Sequence, residues 1–208
     1  MAGPTRMGLL KRVLAGVPLV LIGALGPWGA QAVAAPAPPH VVIFGDSITW
    51  MSAWALRREM PLRHPSVYGV PGVEMAHWFA TIARVSGHGE QSDRVIELGT
   101  NDVRVGNPNW QADFKTEIGL VASQQCVVFL TVNPVLEIAR PGGPTSAEFN
   151  AALAQAVATH ANFHLLDWGD LEYGNPLWLM ADHIHPTSAG SVEMALLEHD
   201  ALRADCPR

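Results

Sequence analysis

The sequence is poor in charge and has almost no cysteine. Charged residues make up 15% and hydrophobic residues 49% of 208, too apolar a balance for a disordered or solvating chain. Cations are the scarcer sign, with 13 Lys and Arg against 19 Asp and Glu, a formal charge of −6. Acidic residues are missing altogether from positions 1–32, where Arg6, Lys11 and Arg12 stand. Without that segment 10 cations would face 19 acids, a net −9. A body this acidic argues against nucleic acid or an anionic membrane surface as the main partner. The length suits one domain with a proper core.

Long hydrophobic runs are also lacking. The most apolar stretch, Val13 to Leu25, has 13 uncharged residues, the length of a signal h-region and short for a bilayer span. It follows the three cations and contains Pro18 and Gly23, with Gly26 just beyond. Ala30-Gln31-Ala32 fits a cleavage site, and Ala32-Val33-Ala34 is a second candidate. Residues 1–32 are therefore expected to be an export signal, and 33–40 a stiff Pro/Ala linker. An uncleaved anchor is the alternative. The expectation is a secreted or cell-envelope protein with no stable membrane insertion after cleavage.

Two cysteines remain, Cys126 and Cys206. In an oxidising compartment they are expected to pair, tying the chain's end to the middle of the domain. The other reading is two separate thiols, one in a strand and one on the tail.

From residue 41 to 208 a single α/β domain is expected. Five short apolar runs read as strands covered on both faces: Val41–Phe44, Ser66–Val70, Arg94–Leu98, Val127–Val132 and Phe163–Asp167. Helical patterns alternate with them over Ile48–Met60, Val73–Val85, Trp110–Gln124, Thr145–Ala161 and Thr187–Leu202. Thr145 and Glu148 form a capping-box pair. The alternation predicts a three-layer, doubly wound fold around a parallel sheet of about five strands. Chemistry in such folds sits beyond the carboxyl ends of the strands.

Three short motifs stand at those ends. Gly45-Asp46-Ser47 closes the first strand just before a helix. A serine there has free helix N–H groups beside it, which favour a developing negative charge; it can also be a plain N-cap. Gly99-Thr100-Asn101-Asp102 closes the third strand. Its Asn101 amide can donate to an oxyanion, or serve as a turn residue. Asp182-His183-Ile184-His185 precedes the last helix. Asp182 can hold one nitrogen of His185 while the other faces a nucleophile. His183, one residue from Asp182, competes for the role of base.

Together the motifs resemble the SGNH/GDSL hydrolase superfamily, across about Val41 to Leu202. Its first block is matched by Gly45, Asp46 and Ser47, its third by Gly99, Asn101 and Asp102, and its fifth by Asp182 and His185. Ile48 stands where the family's name expects Leu. The resemblance implies a flavodoxin-like sheet order and a serine esterase with Ser47, His185 and Asp182 as its triad. It also implies an oxyanion hole made by the N–H of Ser47, the N–H of Gly72 and the Asn101 side chain. Gly69 is a substitute for Gly72. Parts of the chain are loosely similar to SGNH domains of cell-wall O-acyltransferases.

The expected substrate is a small-molecule or carbohydrate ester, with a short-chain or O-acetyl group. No cofactor is implied. The chain lacks a Gly-x-Ser-x-Gly elbow, a P-loop and a dinucleotide fingerprint. Three other readings stay open. One is an O-acyltransferase using the same triad. Another is a metal-dependent phosphoesterase with Asp46, Asn101, His183 and His185 as ligands, although the first strand lacks the Asp-x-His run of that class. The last is a non-catalytic wall-binding module. Among the tryptophans, Trp54 reads as core and Trp50 as the better pocket candidate.

Overall fold

A computed structural model describes residues 40–86, 92–136 and 141–206. The expected signal, 1–32, lies outside the described residues, as does the linker up to residue 39. Among the described residues, no helix is long and apolar enough to cross a membrane.

Five strands form one parallel sheet in the order β2-β1-β3-β4-β5. They are β1 (Val41–Gly45), β2 (Ser66–Gly69), β3 (Asp93–Glu97), β4 (Val127–Leu130) and β5 (Phe163–Leu166). Alternate side chains of each strand enter opposite layers. Val41 and Ile43 pack with α1 (Ser47–Glu59), α6 (Trp168–Tyr173) and α7 (Ser188–Asp205). Val42 and Phe44 pack with α2 (Phe79–Ser86), α4 (Trp110–Val121) and α5 (Ser146–Thr159). Burial on both faces explains why the strands read as continuous apolar runs.

The strands and long helices agree with the sequence expectation to within a few residues. Two short helices had no counterpart in it, α3 (Thr100–Val105) and α6. Six residues are too few for a hydrophobic period to register. The helix expected over Val73–Val85 is a 3-10 turn, Met75–Trp78, followed by α2. The capping box at Thr145 and Glu148 is formed.

Cys126 and Cys206 are disulfide-bonded, with Cα atoms 5.7 Å apart across 80 residues of sequence. The bond joins the start of β4 to the end of α7.

The sheet order places a topological switch point between β1 and β3. The chain leaves β1 for β2 on one side and returns to β3 on the other. A crevice therefore opens beyond the carboxyl ends of β1 and β3, next to Ser47 and Asn101.

Candidate active site

Ser47 is the first residue of α1, and its setting begins one residue earlier. Asp46 is the N-cap, and its Oδ1 accepts the N–H of Ile48 at 2.9 Å. Glu97, at the end of β3, accepts the N–H of Thr49 at 3.1 Å and its hydroxyl at 2.9 Å through Oε2. The Asp46 N–H reaches the same oxygen at 3.4 Å. The Trp50 N–H bonds the Asp46 carbonyl at 3.0 Å. The amides around Ser47 are thus occupied, while its own N–H has no hydrogen-bond partner among the described residues. A helix-terminal N–H left open beside a hydroxyl is what an oxyanion donor requires.

Close packing makes this possible. A Cβ on Gly45 would overlap Thr49 Oγ1 and Glu97 Oε2. One on Gly69 would lie 2.5 Å from the Trp50 backbone nitrogen. Glycine at these two positions lets β2 and β3 reach the first turn of α1.

The loop after α6 brings the other partners. His185 Nε2 lies 2.9 Å from Ser47 Oγ, and its Nδ1 lies 2.7 Å from Asp182 Oδ2. An ionised Asp182 only accepts, so Nδ1 carries the proton and Nε2 faces the hydroxyl as an acceptor. Asp182 Oδ1 also accepts the N–H of Ile184 and of His185, both at 3.0 Å. Burial alone would push the Asp182 carboxyl up. The hydrogen bonds from the His185 ring and from the His185 and Ile184 amides outweigh it and hold the group near 2. The loop is fastened at both ends. Met180 N–H donates to the His185 carbonyl at 2.8 Å, and the Thr187 hydroxyl, which caps α7, donates to the Leu177 carbonyl at 2.9 Å.

Asn101 stands on α3 at the opposite wall. Its Nδ2 donates to Asp46 Oδ2 at 2.8 Å. An amide nitrogen has two protons, so one remains for a ligand. Asp102, the next residue, accepts the Met75 N–H at 3.1 Å and the Asn107 amide at 2.7 Å. It thereby anchors the segment that follows Gly72. Gly72 itself sits in an exposed turn with φ +75°, a conformation that favours glycine. His183 is also left-handed, at φ 56°, and borders a neighbouring hollow, whereas His185 is the histidine that meets Ser47. Two of the four residues raised as metal ligands, His185 and Asp46, are engaged otherwise. Both His185 nitrogens and both Asp46 oxygens bond within the protein.

Two buried acids have roles that the sequence does not give. Glu97 is hidden in an apolar strand, and Asp46 reads only as part of the Gly-Asp-Ser motif or as a possible metal ligand. Burial, and then the charge of Asp46, push Glu97 well up. Burial raises Asp46 to about 6, against the opposing effect of the Ile48 amide and the His185 charge. Trp54 is corrected as well. It is 45% exposed, beneath the Arg58 guanidinium 4.9 Å from its ring, because i,i+4 spacing fixes a shared face and not which face is buried.

Residues 43–191 match the GDSL-like lipase/acylhydrolase family. The chain belongs to this family. The match spans Ser47, Asn101, Asp182 and His185. No significant match to a curated protein was found. Solved structures with a similar fold include the catalytic domain of peptidoglycan O-acetyltransferase A from Streptococcus pneumoniae. It is 17% identical, with a TM-score of 0.66, and the alignment covers 81% of this chain and 95% of that one. A GDSL-like lipase from Bacteroides thetaiotaomicron is 18% identical, with a TM-score of 0.66 and coverage of 80% and 89%. An acetylxylan esterase from Geobacillus stearothermophilus is 16% identical, with a TM-score of 0.57 and coverage of 80% and 94%. At these identities the likeness is one of fold. This GDSL-family chain thus has an esterase- or lipase-type frame.

Two hollows flank the His185 loop. One of about 650 Å³ is bordered by Arg104, Leu136, Tyr173, Asp182 and His183 among others. The other, about 280 Å³, lies against Trp50, Trp54, Met180 and Pro186.

Proposed function

We propose that this chain is an exported serine esterase that removes short acyl groups, acetyl above all, from carbohydrate or small-molecule alcohols. The observation that carries this reading is the unbroken contact from Asp182 through His185 to Ser47, at 2.7 and 2.9 Å. Ser47 Oγ attacks the ester carbonyl while His185 Nε2 takes its proton. Asp182 steadies the imidazolium. The oxyanion is received by the open Ser47 N–H, the second proton of the Asn101 amide and the Gly72 N–H. His185 then protonates the departing alcohol, leaving an acyl-serine. Water, deprotonated by the same imidazole, attacks that acyl-serine and frees the acid and Ser47.

Hydrolysis is favoured over transfer by the openness of the site. The Asp182 side chain is 45% and that of His185 25% exposed, so water reaches the acyl-serine. Transfer to a wall carbohydrate is the second reading, supported by the fold likeness to the O-acetyltransferase domain. A carbohydrate alcohol is suggested by Trp50, 57% exposed in the hollow it shares with Met180 and Pro186, because an open indole offers a flat apolar face with a polar edge. Export rests on the cationic, acid-free N-terminal segment and its Ala-x-Ala sites.

A series of 4-nitrophenyl esters of increasing acyl length, run with and without a sugar acceptor, tests the proposal. The expected result is fastest release from acetate, with free acid as the main product. No turnover of any ester would overturn it, and acylated sugar as the main product would favour the transferase reading.

A further inference from the structure

We propose that the larger hollow is a subsite for a carboxylate carried by the alcohol half of the ester, recognised by Arg104. The inference rests on the esterase reading and adds the charge of the substrate to it.

The position of the hollow assigns it to the alcohol. It is bounded by residues 181–184, immediately before His185. His185 hands its proton to the leaving oxygen, so the alcohol departs along the loop that both hollows flank; Trp50 meets one part of it and this larger hollow takes the remainder. At about 650 Å³ the space is also far larger than an acetyl group fills, whereas ligand sites of a few hundred Å³ hold molecules of sugar size.

Its chemistry is that of an anion site. Val135, Leu136, Ala181 and Ile184 give apolar walls, and Tyr173 adds a phenol. Arg104 is the permanent cation among the described lining residues. It makes no ion pair or side-chain hydrogen bond among the described residues, and its Nε is shielded from water without a partner. Among the described residues the Nε donor is therefore unspent, which is unusual for a shielded group. The nearby acids among the described residues do not answer it. Asp182 is engaged by His185 and two amides, and Asp102 by Met75 and Asn107. A place in the last turn of α3 suits a cation through the helix dipole, but does not require a long side chain at the rim of a hollow. A planar fork of N–H donors matches the two oxygens of a carboxylate. In a chain whose acids outnumber its cations, an unspent Arg beside the leaving-group side selects for such a group.

The test compares 4-acetamidobenzoate with 4-acetamidobenzamide, which have the same shape but differ in charge and resist ester cleavage. Dissociation constants are measured by calorimetry, or by ligand-observed NMR where binding is weak. Tighter binding of the benzoate by about tenfold is expected in the native chain. The preference should disappear in Arg104→Met, survive in part in Arg104→Lys, and shrink with added salt. Equal binding of the two ligands, absence of benzoate binding, or a preference that persists in Arg104→Met would overturn the proposal. Turnover of 4-nitrophenyl acetate by the native chain is recorded in parallel. If that fails, the esterase reading falls while the binding comparison still decides the subsite.

Discussion

The Asn101 amide donates to Asp46 Oδ2 at 2.8 Å, tying the helix after β3 to the residue that sets Ser47. One proton of that amide holds the wall in place, and the other is the one the proposed mechanism gives to the oxyanion. Asn101→Ala removes both functions. We expect kcat to fall by about 10²–10³ with a smaller change in KM, the usual effect of losing an oxyanion donor. Steady-state kinetics with 4-nitrophenyl acetate give the answer. A loss in kcat below about tenfold would remove Asn101 from the oxyanion site.

Much of this arrangement was legible in the sequence because it depends on chain order. Strands buried on both faces announce themselves as apolar runs, and the residues that end them share one edge of a parallel sheet. Ser47 and Asn101 could therefore be placed at one edge before any coordinates, while the family resemblance was what added Asp182 and His185. Glu97 could not, since its function depends on register: β3 sets it opposite Gly45, under Thr49. Arg104 was silent for a similar reason, because a cation in a six-residue helix carries no pattern. The exposure of Trp54 depends on which face of α1 meets α7, and helical spacing alone does not fix that. Two cysteines allowed either a bond or two thiols, and the choice needed the approach of α7 to the start of β4.

Stability should fall as pH rises from about 4.5 to about 8. Burial lifts Glu117, Glu172 and Glu198 from 4.5 to about 8. These acids hold their protons more tightly folded than unfolded. The stability they permit is full below 4.5 and is lost as pH climbs through the folded values. Glu198 is the cleanest case, fully buried on α7 with neither carboxyl oxygen bonded among the described residues. Glu198→Gln should raise Tm at pH 8 more than at pH 5, as read by thermal denaturation. An equal effect at both pH values would contradict the titration argument.

Asp182 has the opposite sign. Its carboxyl is held near 2, below the ordinary 3.8, so its contribution is present above 3.8 and lost as pH falls toward 2. The group is largely exposed and its share of stability is small. The Asp182 resonance, followed by NMR, should titrate near 2 in the native chain and move up in His185→Ala.

The disulfide lies at the edge of the sheet away from the crevice. Cys126 precedes β4 and Cys206 ends α7, whereas Ser47 and Asn101 stand beyond the carboxyl ends of the strands. Opening the bond releases a loop of 80 residues in the unfolded chain, a loss of roughly 4–5 kcal/mol in the chain-entropy model. Denaturant unfolding with and without reductant measures it. The midpoint should drop sharply while kcat, assayed under folding conditions, stays as it was. An unchanged midpoint would contradict this.

The contact between Ser47 Oγ and His185 Nε2 is tested most directly by Ser47→Ala. Turnover of 4-nitrophenyl acetate by this variant should fall by about 10⁴-fold or more, a larger loss than in Asn101→Ala. Turnover at the wild-type rate in Ser47→Ala would contradict the account.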